Sequence, residues 1–181
     1  MTTLPKVDDW SLLDRASRGN ESAWRKLSDM YRARLLGLAF LITRSRASAE
    51  DVAQEAFAKL LTHPPKRSRE SLMPYLSTIA YRLALKEVMR QTRLTEMEGI
   101  VHVDGSPTPE AELLIQEKNS AVEKALSGLD YKLQIIIGLR YQGGMSYDDI
   151  ARLLNIPLGT VKSRLFTAIR NCRKLIEIKE Y

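Results

Sequence analysis

The chain is poor in the residues that build most reactive sites. Its 181 residues include one cysteine, Cys172, and two widely separated histidines, His63 and His102. A lone cysteine forms no internal disulfide, and two distant histidines build no His-based metal cluster. Glycine-rich phosphate loops of the Walker and dinucleotide types are missing, and neither histidine has a nucleophile partner nearby. The expectation is therefore a protein that is not an enzyme and holds no metal or cofactor. No window approaches ~18 uninterrupted apolar residues, which excludes a membrane-spanning helix. The opening MTTLPKVDDW lacks the basic stretch and apolar run of a secretory signal, so a cytoplasmic location is expected.

What is present points to packed helices and a polyanion. Hydrophobic residues make up 44% and charged residues 28%, enough apolar material for a core. The net charge of +6 is uneven: residues 1–91 carry 16 basic and 10 acidic residues, 92–126 carry 3 and 7, and 127–181 carry 9 and 5. Two basic blocks thus flank an acidic one. Lys and Arg clusters displace counterions from phosphate backbones, although a basic protein with no such partner has the same balance.

The acidic middle also changes texture. TRLTEMEGIVHVDGSPTP at 92–109 holds two glycines, two prolines and no sustained period. It reads as a linker, with boundaries expected at 92 and 117, between a first domain at 1–91 and a second at 118–181. Both domains read as all-α. Asp8 or Asp9 and then Asn20 are cap residues for the first two helices, and the second repeats Ala23, Leu27, Met30, Tyr31, Leu35, Leu38 and Leu41 at helical spacing. Ser48-x-x-Asp51 is a start signal for a third helix, which HPP at 63–65 ends, and Pro74 opens a fourth. In the second domain Thr108 and Pro109 open a helix expected to run to about Ser127, and Leu129–Tyr141 form another, stopped by Gly143-Gly144.

The sharpest local pattern is SYDDIARLLNIPLGTVKSRLFTAIR at 146–170. Two short helices joined by a tight turn make a helix-turn-helix, whose second helix enters the major groove. Thr160, Lys162, Ser163, Arg164, Phe166, Thr167 and Arg170 are its candidate contacts, cations for guanine edges and phosphates, Thr and Phe for methyl contacts. A second basic face lies on the fourth helix, where Tyr75, Thr78, Arg82, Lys86 and Arg90 gather beside the loop cations Lys66, Arg67 and Arg69. Aromatic and cationic groups on one face can stack on bases and hold phosphates, although a solvated amphipathic face gives the same pattern. The third helix contrasts: Asp51, Gln54 and Glu55 fall at i, i+3 and i+4 on one face and suit a basic protein partner.

SAEDVAQEAFAKLL at 48–61, PYLSTIAYRLALKEVMRQ at 74–91 and the helix-turn-helix segment together resemble a bacterial sigma factor of the extracytoplasmic-function group. The resemblance rests on Asp51, Gln54, Glu55 and Phe57 as a region-two helix, followed at the right distance by a region-four helix-turn-helix. It implies a transcription initiation factor that binds RNA polymerase core through Asp51, Gln54 and Glu55. The fourth helix and the preceding loop would read and melt the −10 element of promoter DNA, and the helix-turn-helix would read the −35 element. Members are often held by an anti-sigma factor. Arg82 and Lys86 depart from the Asn and Asp common in the family there. The rival reading is a helix-turn-helix regulator that binds an operator without polymerase; its sensor would alternate strands and helices, and residues 1–91 show no such alternation.

Overall fold

A computed structural model describes residues 8–67, 71–97 and 125–177 of the chain. Four helices form the first unit: α1 (Asp9–Ser17), α2 (Glu21–Thr43), α3 (Arg46–Thr62) and α4 (Met73–Met97). The second unit holds α5 (Tyr131–Ile137), a π-helical turn Gly138–Gln142, α6 (Tyr147–Leu154) and α7 (Leu158–Glu177). Among the described residues there is no strand. The helix expected from Thr108 lies outside them up to residue 124, as does most of the 92–117 linker. Helix α4, however, continues to Met97, past the linker boundary expected at 92.

The caps explain where the helices begin. Asp8 accepts from the Trp10 amide and Asn20 from the Ala23 amide, so each satisfies an N–H with no partner inside its helix. Ser146 and Asp149 exchange bonds in a capping box. The third helix starts a turn earlier than expected. Its cap is Ser45, whose hydroxyl accepts from the Ser48 amide at 3.3 Å, while Ser48 itself is buried inside the helix. Helix α2 is the central column. Leu27, Leu35 and Leu38 are fully buried, each worth about 1.5–3 kcal/mol relative to exposure. Met30, placed on the same stripe by its spacing, is instead exposed.

The apolar core runs on from α2 into the second unit, where Ile136, Leu139, Met145, Ile150 and Val161 are buried. The seam between the units is also bonded. Arg34 donates to the Gln142 carbonyl at 2.9 Å, and the Tyr131 hydroxyl to the Ile42 carbonyl at 3.1 Å. The units approach closely there: a Cβ on Gly37 would lie 3.1–3.3 Å from the Gln142 side-chain amide, and one on Gly138 would lie 2.7 Å from the end of the Leu41 side chain, so either would push a side chain aside.

Candidate functional site

Three polar surfaces stand on this scaffold. On α3, Val52, Ala53, Ala56 and Phe57 turn inward, with the Trp24 ring edge-on to Phe57 at 5.5 Å. That packing fixes the rotation of the helix and leaves Asp51, Gln54 and Glu55 together on its exposed side. Glu55 pairs with Lys59 at 3.4 Å, both side chains about half exposed, a contact worth about 0–1 kcal/mol. The acidic face therefore remains available to a stronger cationic partner.

The second surface combines α4 with the segment before it. Leu76, Ala80 and Ala84 face the core, which leaves Arg82, Lys86 and Arg90 exposed and Tyr75 and Thr78 half-buried. The side chains are not equivalent. Tyr75 donates its hydroxyl to the His63 carbonyl at 2.7 Å, closing the base of the loop, and Thr78 bonds back to the Pro74 carbonyl. Arg90 is engaged by Glu87 through two bonds of 2.7 and 2.8 Å, which hold the Glu87 carboxyl below its usual range. Arg67 is held by Asp8 at 2.9 Å. Lys66 is exposed; Arg69 lies outside the described residues. Arg82 shares a cavity of about 330 Å³ with Asp149 and Arg152 of α6.

The third surface is the helix-turn-helix. Asn155 ends α6 in the left-handed conformation, φ 51°, which Asn tolerates better than most residues, and so sets the turn into α7. Val161, Leu165 and Ala168 pin α7 to the core. Lys162, Ser163, Phe166 and Arg170 are then exposed, with Thr160, Arg164 and Thr167 half-buried beside them. Phe166 is 67% exposed, and the Arg170 guanidinium lies 5.9 Å from its ring centre. A bare aromatic carrying a cation is a costly surface feature without a ligand and a useful one against a base or a thymine methyl. Cys172 sits half-buried on the inner side, where burial pushes its thiol pKa up, away from a reactive thiolate.

Sequence reasoning missed the seam residues. Arg44 caps α2 with φ 55° and sends its guanidinium to the Gln134 side chain and over the Tyr131 ring at 5.4 Å; burial lowers its pKa. Arg44 and Gln142 line a cavity of about 450 Å³ along the seam, and Arg44 Nε and Gln142 Oε1 are buried there with no hydrogen-bond partner. Among the described residues no group of three or more His, Cys, Asp or Glu could hold a metal, and no helix is long and apolar enough to cross a membrane.

Comparison with known proteins accounts for both units. The family model for Sigma-70 region 2 matches residues 27–94, and that for Sigma-70, region 4 matches residues 119–172. The chain is 31% identical to the ECF RNA polymerase sigma-E factor of Haemophilus influenzae, over 96% of each chain. It is 29% identical to the RNA polymerase sigma-H factor of Pseudomonas aeruginosa, over 91% of this chain and 92% of that one. Among solved structures it resembles the sigma factor RpoE of Bartonella quintana, in complex with the anti-sigma factor NepR. The TM-score is 0.63 at 19% identity, covering 86% of this chain and 97% of that one.

Proposed function

The chain belongs to the extracytoplasmic-function sigma factors of the sigma-70 family and directs RNA polymerase core to specific promoters; from that premise we propose how its surfaces divide the work. Asp51, Gln54 and Glu55 dock on the polymerase, where an acidic face meets a basic one. The 63–72 loop and α4 read the −10 element: Lys66 and Lys86 hold phosphate, Arg67 and Arg82 supply donors, and Tyr75 backs the opened strand. Helix α7 reads the −35 element, with Arg164 near its start and Phe166 and Arg170 further along.

The observation that carries this division is the sign of charge on neighbouring helices. An acidic face on α3 stands beside a basic face on α4 within one bundle, so a single rigid unit can hold a protein and a nucleic acid at once. A regulator that bound its operator alone would have no use for the acidic face. The protein acts where polymerase acts, in the cytoplasm, as an initiation factor with no chemistry of its own. The Bartonella structure of like fold is a complex with an anti-sigma factor, and a protein of that class is the further partner proposed for this chain.

The test is co-elution of the purified protein with polymerase core. Wild type is expected to form a stoichiometric complex, and the Asp51→Lys/Glu55→Lys variant to elute apart from the enzyme. Equal complex formation by both would refute the docking face.

A further inference from the structure

Helix α1 grips the segment between α3 and α4 from one side. Three carboxylates near its start and first turns do different things. Asp9 is buried, accepts from the Tyr31 hydroxyl, and also accepts from the Leu72 amide at 2.8 Å. It therefore ties α1 to α2 and to the last residue before α4. Asp8, already fixed as the helix cap, accepts from Arg67 at 2.9 Å, and Asp14 stands 3.8 Å from the same guanidinium. At the far end of the segment, Tyr75 closes onto the His63 carbonyl. The other described cation of the segment, Lys66, is exposed and has no ion pair among the described residues.

We propose that Asp8 and Asp14 are positioning residues for promoter reading: they hold the Arg67 guanidinium at a set orientation on an anchored loop, so that its remaining N–H donors meet one place in the proximal element. The inference rests on the proposed role of this loop in reading that element. The physical case lies in the contrast of the two cations. An arginine carries a planar fork of five donors, so the Asp8 carboxylate can orient it through one bond, with the Asp14 charge 3.8 Å from the other terminal nitrogen, and leave donors for a base edge. A lysine beside it acts as a rotatable point charge and attracts phosphate of any sequence. The two acids also cancel the excess positive field that an unpaired arginine would add, which limits binding that ignores sequence. All three side chains are more than half exposed, so the ion pairs contribute little to folding. Their arrangement matters for what the arginine can read.

The test uses the full chain with polymerase core and a library randomised across the proximal element. Asp8→Asn/Asp14→Asn removes both ion pairs while Asn at position 8 keeps the helix cap. The variant is expected to keep the urea midpoint of wild type and to lose about two- to fivefold in discrimination between selected and random proximal elements, the range an exposed ion pair supports. Its salt dependence of DNA binding should steepen by about one phosphate contact. Arg67→Ala is the companion variant, expected to change the selected element at least as much. If Arg67→Ala alters selection while the Asn pair selects like wild type with an unchanged salt slope, the positioning role is overturned and the loop's role stands. If Arg67→Ala itself selects like wild type, loop reading through this arginine fails and the inference fails with it.

Discussion

Ser77, fully buried on α4, donates its hydroxyl across the seam to the carbonyl oxygen of Gly143 at 3.2 Å. The bond joins α4, the helix proposed to read the −10 element, to the turn that leads into the helix-turn-helix. The seam that contains it is mixed in quality. Buried leucines and isoleucines favour it, while Arg44 Nε and Gln142 Oε1 have no protein hydrogen-bond partner among the described residues, and both side chains line the seam cavity.

Such a seam should open under a modest wedge. Gly37→Leu places a side chain against the end of the Gln142 side chain, whose amide lies 3.1–3.3 Å from a Cβ there and must move aside, and it also raises the helix propensity of α2 by up to about 1 kcal/mol. The expected outcome is a larger radius of gyration by small-angle scattering at undiminished helix content. An unchanged radius would show that the seam absorbs the wedge.

The buried carboxylate of Asp9 gives a stability prediction. Asp9→Ala leaves the Tyr31 hydroxyl and the Leu72 amide without their acceptor, at about 1–3 kcal/mol for each buried group left unpaired. Urea denaturation should register a loss of about 2–4 kcal/mol.

The same site predicts alkaline sensitivity. Burial, followed by the bond to Asp9, holds the Tyr31 phenol well above its ordinary pKa. A pKa raised in the folded state means that the native protein keeps a proton the unfolded chain gives up. The stabilisation is complete below the ordinary value of about 10 and declines as pH rises above it. Tyr31→Phe should flatten that decline in thermal melts taken across the alkaline range.

In the helix-turn-helix, Arg164 and Arg170 should matter unequally. Arg164 is half-buried near the start of α7, whereas Arg170 is exposed and stacked by Phe166. Arg164→Ala is expected to cost about 1–3 kcal/mol of promoter binding, and Arg170→Ala no more than that. Binding titrations on one promoter fragment at fixed salt would rank them.

On α4, Arg82 and Lys86 are both exposed and neither has an ion pair among the described residues. Arg82→Asn/Lys86→Asp removes two cations and introduces acceptors, which can take a bond from cytosine where lysine cannot. The salt slope of holoenzyme binding should fall by about two phosphate contacts and the selected proximal element should change. Identical selection and slope would mean that these side chains do not touch DNA.

Local features were legible in the sequence because their physics is local. Asp8 and Asn20 act on amides two or three residues away, and the inward stripe of α2 largely follows the helical period. Ser48 misled because Ser48-x-x-Asp51 has the form of a cap, while Ser45 one turn earlier makes the bond. The seam was not legible at all. Arg44 meets Gln134 across 90 positions and Arg34 meets Gln142 across 108, and no spacing rule reaches that far. The same limit hid the hold of Asp8 and Asp14 on Arg67, which looked in the sequence like one more loop cation.

Run-off transcription by polymerase core on a promoter template, with and without this protein, separates an initiation factor from an operator-binding regulator. Initiation at a defined start site is expected only when both are present, with loss of that product for Asp51→Lys/Glu55→Lys and a footprint over both promoter elements only in the presence of core. A footprint of full strength from the protein alone, with no gain in initiation when core is added, would rule out an initiation factor and favour an operator-binding regulator.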